Sequence, residues 1–419
     1  MALIDQISRF RRDRSGNIAI IFAISVLPLL VGIGCAVDFS IAMKQRTKIQ
    51  AALDDAVLAG AIAGKQSLDN GSGQTAAIAA ANSAAASFFS GNTVGTSAAQ
   101  LTTKFTLNGR NLSGTGSAAA NVPNTFMKMV GFPTFALNLN SQSTSSTQPY
   151  LNVYLLVDIS ASMLLPSTTA GITQMINGTG CALACHSTTD GTDSYSYALN
   201  NNIQLRYQVV NQGVQNLLNY LAANSSLSSH VKVQLWSLDS SLAQLSSMTS
   251  SYSAITNNFP APAVAVDDAA AATPFNNLIG NFISTVGNAG DGSSASNPQK
   301  MVILATDGVN DPTRAWASTE PQLMPQVKVF DTTFCSTFKQ AGVTVAIINT
   351  PYYPMPWDWG YQDTLGQPGS LGGATRVDDI PIALSACAGK NYTLASSVSA
   401  IQSAFVNLFI QGSPIRLTN

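Results

Sequence analysis

Residues 18–37, IAIIFAISVLPLLVGIGCAV, are twenty apolar or small residues without a charge. A run of this kind leaves the backbone few options. As a helix it spans about 30 Å, the hydrocarbon thickness of a bilayer, and within lipid a lone segment satisfies its peptide groups only as a helix. Pro28 and the Gly32/Gly34 pair would weaken a helix in water but are tolerated in a membrane. Arg9, Arg11, Arg12 and Arg14 precede the run against Asp5 and Asp13; Asp38 follows it, with Lys44, Arg46 and Lys48 further on. This bias predicts a basic cytoplasmic segment at 1–17, a single transmembrane helix at 18–37, and export of the remainder to the periplasm or cell surface. A cleaved signal peptide is the competing reading, but the run is longer than an ordinary signal core and ends in no clear small-x-small site.

The cysteines agree with export. Cys35 lies in the apolar run, leaving Cys181, Cys185, Cys335 and Cys387, an even set that fits two disulfides in an oxidising compartment. With a net charge of −1, nothing suggests nucleic-acid binding through a basic surface, and no nucleic-acid partner is expected. His186 and His230 are the only histidines, so imidazole-based catalysis has few candidates. Gly60-Ala-Ile-Ala-Gly64-Lys65-Gln66 is one residue short of a phosphate loop and has Gln where Ser or Thr belongs. The expectation is therefore a non-enzyme with no catalytic residues. A metal-assisted hydrolase is the minority alternative.

Residues 38–66 continue with helical periodicity, through Ile49, Ala52, Leu53, Ala56, Val57, Gly60 and Ala61. The basic stretch, Ser15-Gly16-Asn17, the apolar span with Pro28, Val37-Asp38 and this Ala-rich helix together resemble the N-terminal module of TadE/TadG-like proteins of bacterial Flp pilus assembly. The resemblance covers about the first 60 residues and implies a cytoplasmic-membrane protein of a pilus system. Residues 67–149 read as a small α+β module, with a helix at 76–89, strands at 100–107 and 135–140, and a Ser/Thr-rich linker at 141–149.

From 150 to 412 strands and helices alternate, which argues for an α/β fold with a doubly wound, mostly parallel sheet. Residues 151–157 are a buried strand ending in Asp158, Ser160 and Ser162, and 301–305 another ending in Thr306-Asp307-Gly308. Thr273 and Pro274 open a helix at 273–286, with Thr273 as its expected cap. Carboxylates and hydroxyls delivered to one sheet edge suit a hard cation such as Mg²⁺, with Ca²⁺ or Mn²⁺ as alternatives.

DISAS at 158–162, the Thr273-Pro274 helix start and the Thr306-Asp307-Gly308 loop resemble the von Willebrand factor type A domain and its metal-ion-dependent adhesion site. That resemblance implies a Rossmann-like fold. It also implies direct Mg²⁺ ligation by Ser160, Ser162 and Thr273, with Asp158 and Asp307 acting through waters or directly. The ion would bind a protein partner, a pilus or envelope component, through an acidic side chain. Asp267 and Asp268 read as solvated loop carboxylates, with general base or site tuning as the other option.

Two insertions, 164–202 and 351–381, leave strand ends and should border this edge. The first carries Cys181-Ala-Leu-Ala-Cys185-His186, read as a short disulfide with zinc as the alternative. The second carries Tyr352, Tyr353, Trp357, Trp359 and Tyr361, either a binding surface or packing against the domain. Cys335 and Cys387 are expected to clamp it.

Overall fold

The computed structural model describes residues 15–183, 194–259, 272–315 and 320–414. The chain divides into two compact units, Met1–Thr147 and Gln148–Asn419.

In the first unit a single helix, α1 (Ser15–Asp69), runs for 55 residues through Pro28. Its first part exposes Ile20, Ile21, Phe22, Ile24, Leu27, Leu29 and Leu30, and is long and apolar enough to cross a membrane. Beyond Asp38 the pattern changes. Ala42, Ile49, Leu53, Ala56, Val57 and Ala61 are buried at three-, four- and seven-residue intervals, the stripe by which a helix meets a core. Helix α2 (Gln74–Asn92) buries Ala77, Ala81, Ala85 and Phe89. A Cβ on Gly60 would come within 2.8 Å of the Ala81 carbonyl, and one on Gly64 within 3.1 Å of Ala81 Cβ. The Gly60/Gly64 pair thus serves close helix packing.

Strands β1 (Ala99–Asn108), β2 (Asn111–Pro123) and β3 (Thr134–Ser146) form an antiparallel sheet in that order. Two features depart from the sequence expectation. Strand β2, NLSGTGSAAANVP, buries alternate residues from Leu112 to Val122, and most of that row is Gly or Ala. A Cβ on Gly116 would lie 2.5 Å from Val57 Cγ2 and 3.1 Å from Leu53 Cδ1, so the small residues let α1 lie close on the sheet. The expected linker at 141–149 is also corrected: residues 141–146 continue β3, pairing Ser141 with Gly116 and Ser146 with Asn111. Its Ser/Thr composition suits an edge strand, where few side chains need to be apolar.

The second unit is a six-stranded sheet. Its strands are β4 (Leu151–Asp158), β5 (Val231–Leu238), β6 (Leu242–Gln244), β7 (Gln299–Thr306), β8 (Thr344–Asn349) and β9 (Tyr392–Leu394). The spatial order is β9-β8-β7-β4-β5-β6, parallel except for the antiparallel edge strand β6. Helices cover both faces. On one, Phe282 of helix α4 (Phe275–Val286) meets Tyr154 and Trp236 edge-on, and also Phe338 of α5 (Thr333–Gln340). On the other, Gly412 of α7 (Val398–Gly412) lies against Met301 and Thr344. Helix α7 also packs on α3 (Arg206–Ala223), where Gly213 faces Phe405. Helix α6 (Arg376–Ala388) precedes β9; it begins within the expected second insertion.

Helix α4 corrects one expectation. It begins at Phe275 with Pro274 as its cap, and Thr273 instead forms a two-way backbone bridge with Asp311 at 2.9 Å in each direction. Asp311 holds the backbone groups of Thr273, so the helix cannot start there.

Candidate functional site

Chain order creates the site. After β4 the chain builds β5 and β6 on one side, then returns to place β7, β8 and β9 on the other. The reversal falls between β4 and β7, and ligands of open α/β sheets bind in the crevice at such a point. The parallel register sets Val157 beside Ala305, which brings Asp158 level with Thr306 and Asp307 one residue beyond.

Asp158 is fully buried and Asp307 and Ser160 are each 1% exposed. The Ser160 amide and hydroxyl donate to Asp158 Oδ1 at 3.0 and 2.6 Å, and the Thr306 hydroxyl donates to Asp158 Oδ2 at 2.8 Å. The Ser160 and Ser162 hydroxyls are 3.0 Å apart, and the Ser162 hydroxyl donates to Asp307 Oδ2. The Val309 amide donates to Asp307 Oδ1 at 3.1 Å and the Gly308 amide to the Thr306 hydroxyl at 3.0 Å. Gly308 has φ +87°, and a Cβ there would strike Ile380 of α6, so this turn requires glycine. Asn349, at the end of β8, donates to the Thr306 and Asp307 carbonyls at 3.4 and 3.2 Å.

Four of the five expected ligand residues, Asp158, Ser160, Ser162 and Asp307, therefore share one chain of hydrogen bonds. Thr273 is buried and joins the Asp307 loop through its backbone bridge to Asp311.

One residue at the site, Arg206, was not expected; another, Tyr352, comes from the second insertion, which was expected to border this edge. Arg206, the first residue of α3, is 1% exposed, with Nη1 3.9 Å from Asp307 Oδ2. Its Nη2 donates to the Pro351 carbonyl at 2.6 Å, and Cζ lies 4.6 Å from the centre of the Tyr352 ring. At 3.9 Å the contact with Asp307 is an ion pair without a hydrogen bond. Tyr352 is also buried, and its phenol lies within the electrostatic reach of Ser162, Asp307 and Arg206. A signal for Arg206 exists in the sequence. It shares a helical face with Val209, Val210 and Gly213, an unusual place for a charge.

Burial raises the Asp158 carboxyl to about 7, and the neighbouring Asp307 charge adds to the rise. Burial also drives the Tyr352 phenol well above its ordinary value, again with Asp307 contributing. Two neighbouring buried carboxylates thus share a site where only Asp307 has a guanidinium beside it, which leaves a demand for positive charge or a proton. The donors are all oxygen, which fits a hard divalent cation. Among the described residues no three His, Cys, Asp or Glu side chains form a metal cluster, so such a site would rest on two carboxylates and hydroxyls.

Cys335 of α5 and Cys387 of α6 form a disulfide with Cα atoms 5.6 Å apart. Cys181 is disulfide-bonded, while Cys185, His186, Asp267 and Asp268 lie outside the described residues. The zinc alternative loses its other histidine. His230 is buried at the start of β5, where its ring packs 4.6 Å from that of Tyr150, at the sheet end opposite Asp158. The aromatic run divides: Tyr352 and Tyr361 are buried, whereas Trp357 and Trp359 are exposed. The run is therefore part core and part surface.

The fold and site together define an α/β protein with a buried cluster of carboxylates and hydroxyls at its sheet switch point, preceded by a smaller unit of helices and an antiparallel sheet with an apolar N-terminal span. Residues 16–63 match the Tad family, described as Flp pilus-assembly TadE/G-like. No curated protein matches the chain. Among solved structures, similarity extends to the PilB minor pilin from Streptococcus sanguinis, with 12% identity, 75% of this chain and 77% of that one covered, and a TM-score of 0.36. An aerotolerance-related membrane protein from Bacteroides fragilis gives 14%, 62%, 99% and 0.32 for the same quantities. The pilus adhesin SpaC from Lactobacillus rhamnosus GG gives 12%, 75%, 35% and 0.36.

Proposed function

We propose that this chain is a membrane-anchored, non-enzymatic pilus-assembly or adhesion protein whose second unit, a von Willebrand factor type A-like domain, presents a divalent-metal-dependent protein-binding site outside the cytoplasm. The observation that carries this reading is the hydrogen-bonded chain Asp158–Ser160–Ser162–Asp307 at the sheet switch point. The Tad match over 16–63 supports the pilus system, and the apolar part of α1 supports the anchor. Ser160, Ser162 and Thr273 would hold Mg²⁺, with Asp158 and Asp307 neutralising it directly or through waters. An ion with few charged ligands offers a coordination position to a carboxylate on the partner protein. The test is binding of purified pilus or envelope components to the full chain. Binding should vanish with EDTA and in Asp158→Ala; binding that persists without metal removes the ion from the mechanism.

A second reading is favoured by Arg206. A guanidinium 3.9 Å from Asp307 already supplies one positive charge, as it would in an envelope scaffold whose metal site is vestigial. Pilus assembly that persists in the double variant Ser160→Ala, Thr273→Ala would support that scaffold.

A further inference from the structure

Near the end of the apolar run, the loop that joins β2 to β3 packs on α1 and turns large apolar side chains outward. Phe126, Met129, Val130 and Phe132 are 42%, 79%, 47% and 61% exposed, with Lys128 exposed among them. This display is held in place. The buried Asp38 carboxylate accepts the backbone amides of Thr125, Phe126 and Met127 at 3.1, 2.7 and 2.7 Å. Asn124 closes the base, its amide donating to the Pro133 carbonyl at 2.9 Å and its side chain to the Phe132 carbonyl at 3.1 Å. Gly131, with φ +93°, turns the tip. Phe126 rests on α1 itself, where a Cβ on Gly34 would come within 2.6 Å of it.

Gly34 lies within the last turn of the apolar run, and Asp38 is the residue after it. The loop is therefore pinned at the level where a helix spanning 18–37 leaves the hydrocarbon. An apolar display with one cationic side chain, fixed at that level, has the chemistry of a membrane-interface contact. We infer that residues 126–132 insert into the headgroup–acyl boundary of the leaflet from which α1 emerges, giving the first unit a second attachment that fixes its orientation to the membrane. The inference rests on the reading of α1 as a membrane anchor. It also accounts for Asp38 directly after the run: three amides satisfy its carboxylate, so it tolerates the interface.

The test uses the full chain in vesicles of phosphatidylethanolamine and phosphatidylglycerol. Cys35, the free cysteine among the described residues, is replaced by Ser. Single cysteines at Ile24, Met129 or Val94 then carry an environment-sensitive fluorophore, and brominated lipids serve as quenchers. Val94 is exposed, and its carbonyl is held by Lys48, about 15 Å further along the helix than Asp38. Met129 is 79% exposed, so its replacement disturbs no packing. Shallow-brominated lipid should quench the Met129 probe about threefold or more beyond the Val94 probe, and deep-brominated lipid should quench the Ile24 probe. Quenching at Ile24 with Met129 no more quenched than Val94 overturns the loop inference and leaves the anchor standing. No quenching at Ile24 overturns the anchor reading, and the loop inference with it. Cross-linking between Met129 positions of two copies, without lipid quenching, would assign the loop to self-association and overturn the lipid assignment.

Discussion

The Arg206 guanidinium lies 3.9 Å from the Asp307 carboxylate, and both side chains are 1% exposed. Removing one member of a buried pair strands the other charge. Arg206→Ala should therefore lower unfolding stability by about 3–5 kcal/mol. Arg206→Lys should restore only part of it, because an ammonium cannot reproduce the guanidinium's place over the Tyr352 ring together with the bond to Pro351. Chemical unfolding midpoints of the three proteins check the ranking, and equal stability of Arg206→Ala and the native chain would refute it.

Metal binding has its own thermal signature. If Mg²⁺ binds only the folded crevice, a concentration a hundredfold above its dissociation constant should stabilise by about 2.7 kcal/mol. For a unit of this size that raises Tm by about 5–10 °C. EDTA should reverse the shift, and the double variant Ser160→Ala, Ser162→Ala should abolish it. A flat response in calorimetry would favour the scaffold reading, with Arg206 as the resident positive charge.

The Cys335–Cys387 disulfide closes a sequence separation of 52 residues between α5 and α6. On the chain-entropy account, a loop of that length constrains the unfolded chain by about 4 kcal/mol. Replacing both cysteines by Ser should lower stability by an amount of that order, and reductant should lower the native chain by at least as much, because it also opens the disulfide at Cys181. Unfolding curves that superimpose with and without reductant would contradict this.

Asp379 should make one loop acid-sensitive. Its carboxylate accepts the backbone amides of Ser370, Leu371 and Gly373. Burial pushes this carboxyl upward, but the amides of Ser370, Gly373 and Leu371 outweigh it and hold it below the ordinary 3.8. The sign follows from that direction. A depressed carboxyl stabilises fully above its unfolded value, and the contribution disappears as pH falls through the folded value. Asp379→Asn should cost about 1.5–3 kcal/mol near neutrality, with faster amide exchange at 370–373. The stability difference between variant and native chain should shrink below pH 3.8. A difference independent of pH would contradict the assignment.

Small residues in β2 make a packing prediction. Gly116→Val would drive a side chain into Leu53 and Val57 of α1 and should destabilise the first unit by about 1–3 kcal/mol. The same substitution at Gly109, whose Cβ position is open, should cost less steric energy, although its φ of +58° adds backbone strain. Proteolysis rates of the first unit would separate the two effects by location.

Much of the chain is legible from local pattern. Twenty uncharged residues define the apolar span because a bilayer imposes a length, and β4 and β7 are visible because strands buried on both faces are apolar throughout. Asp158 and Asp307 stand out because each carboxylate interrupts such a run at its end. Strand β2 is not legible, since a Gly/Ala row carries almost no hydrophobic signal; the proximity of α1, not transfer energy, dictates its small residues. Nor is the end of β3, because an edge strand tolerates the Ser and Thr that composition assigns to a linker. Only the tertiary structure places Arg206 between Asp307 and Tyr352, groups more than 100 residues away along the chain. The strand order decides it: β7 returns beside β4, and α3 and the segment after β8 converge on the crevice between them. Sequence periodicity determines which residues are buried, but the partners of a buried charge depend on which strands become neighbours.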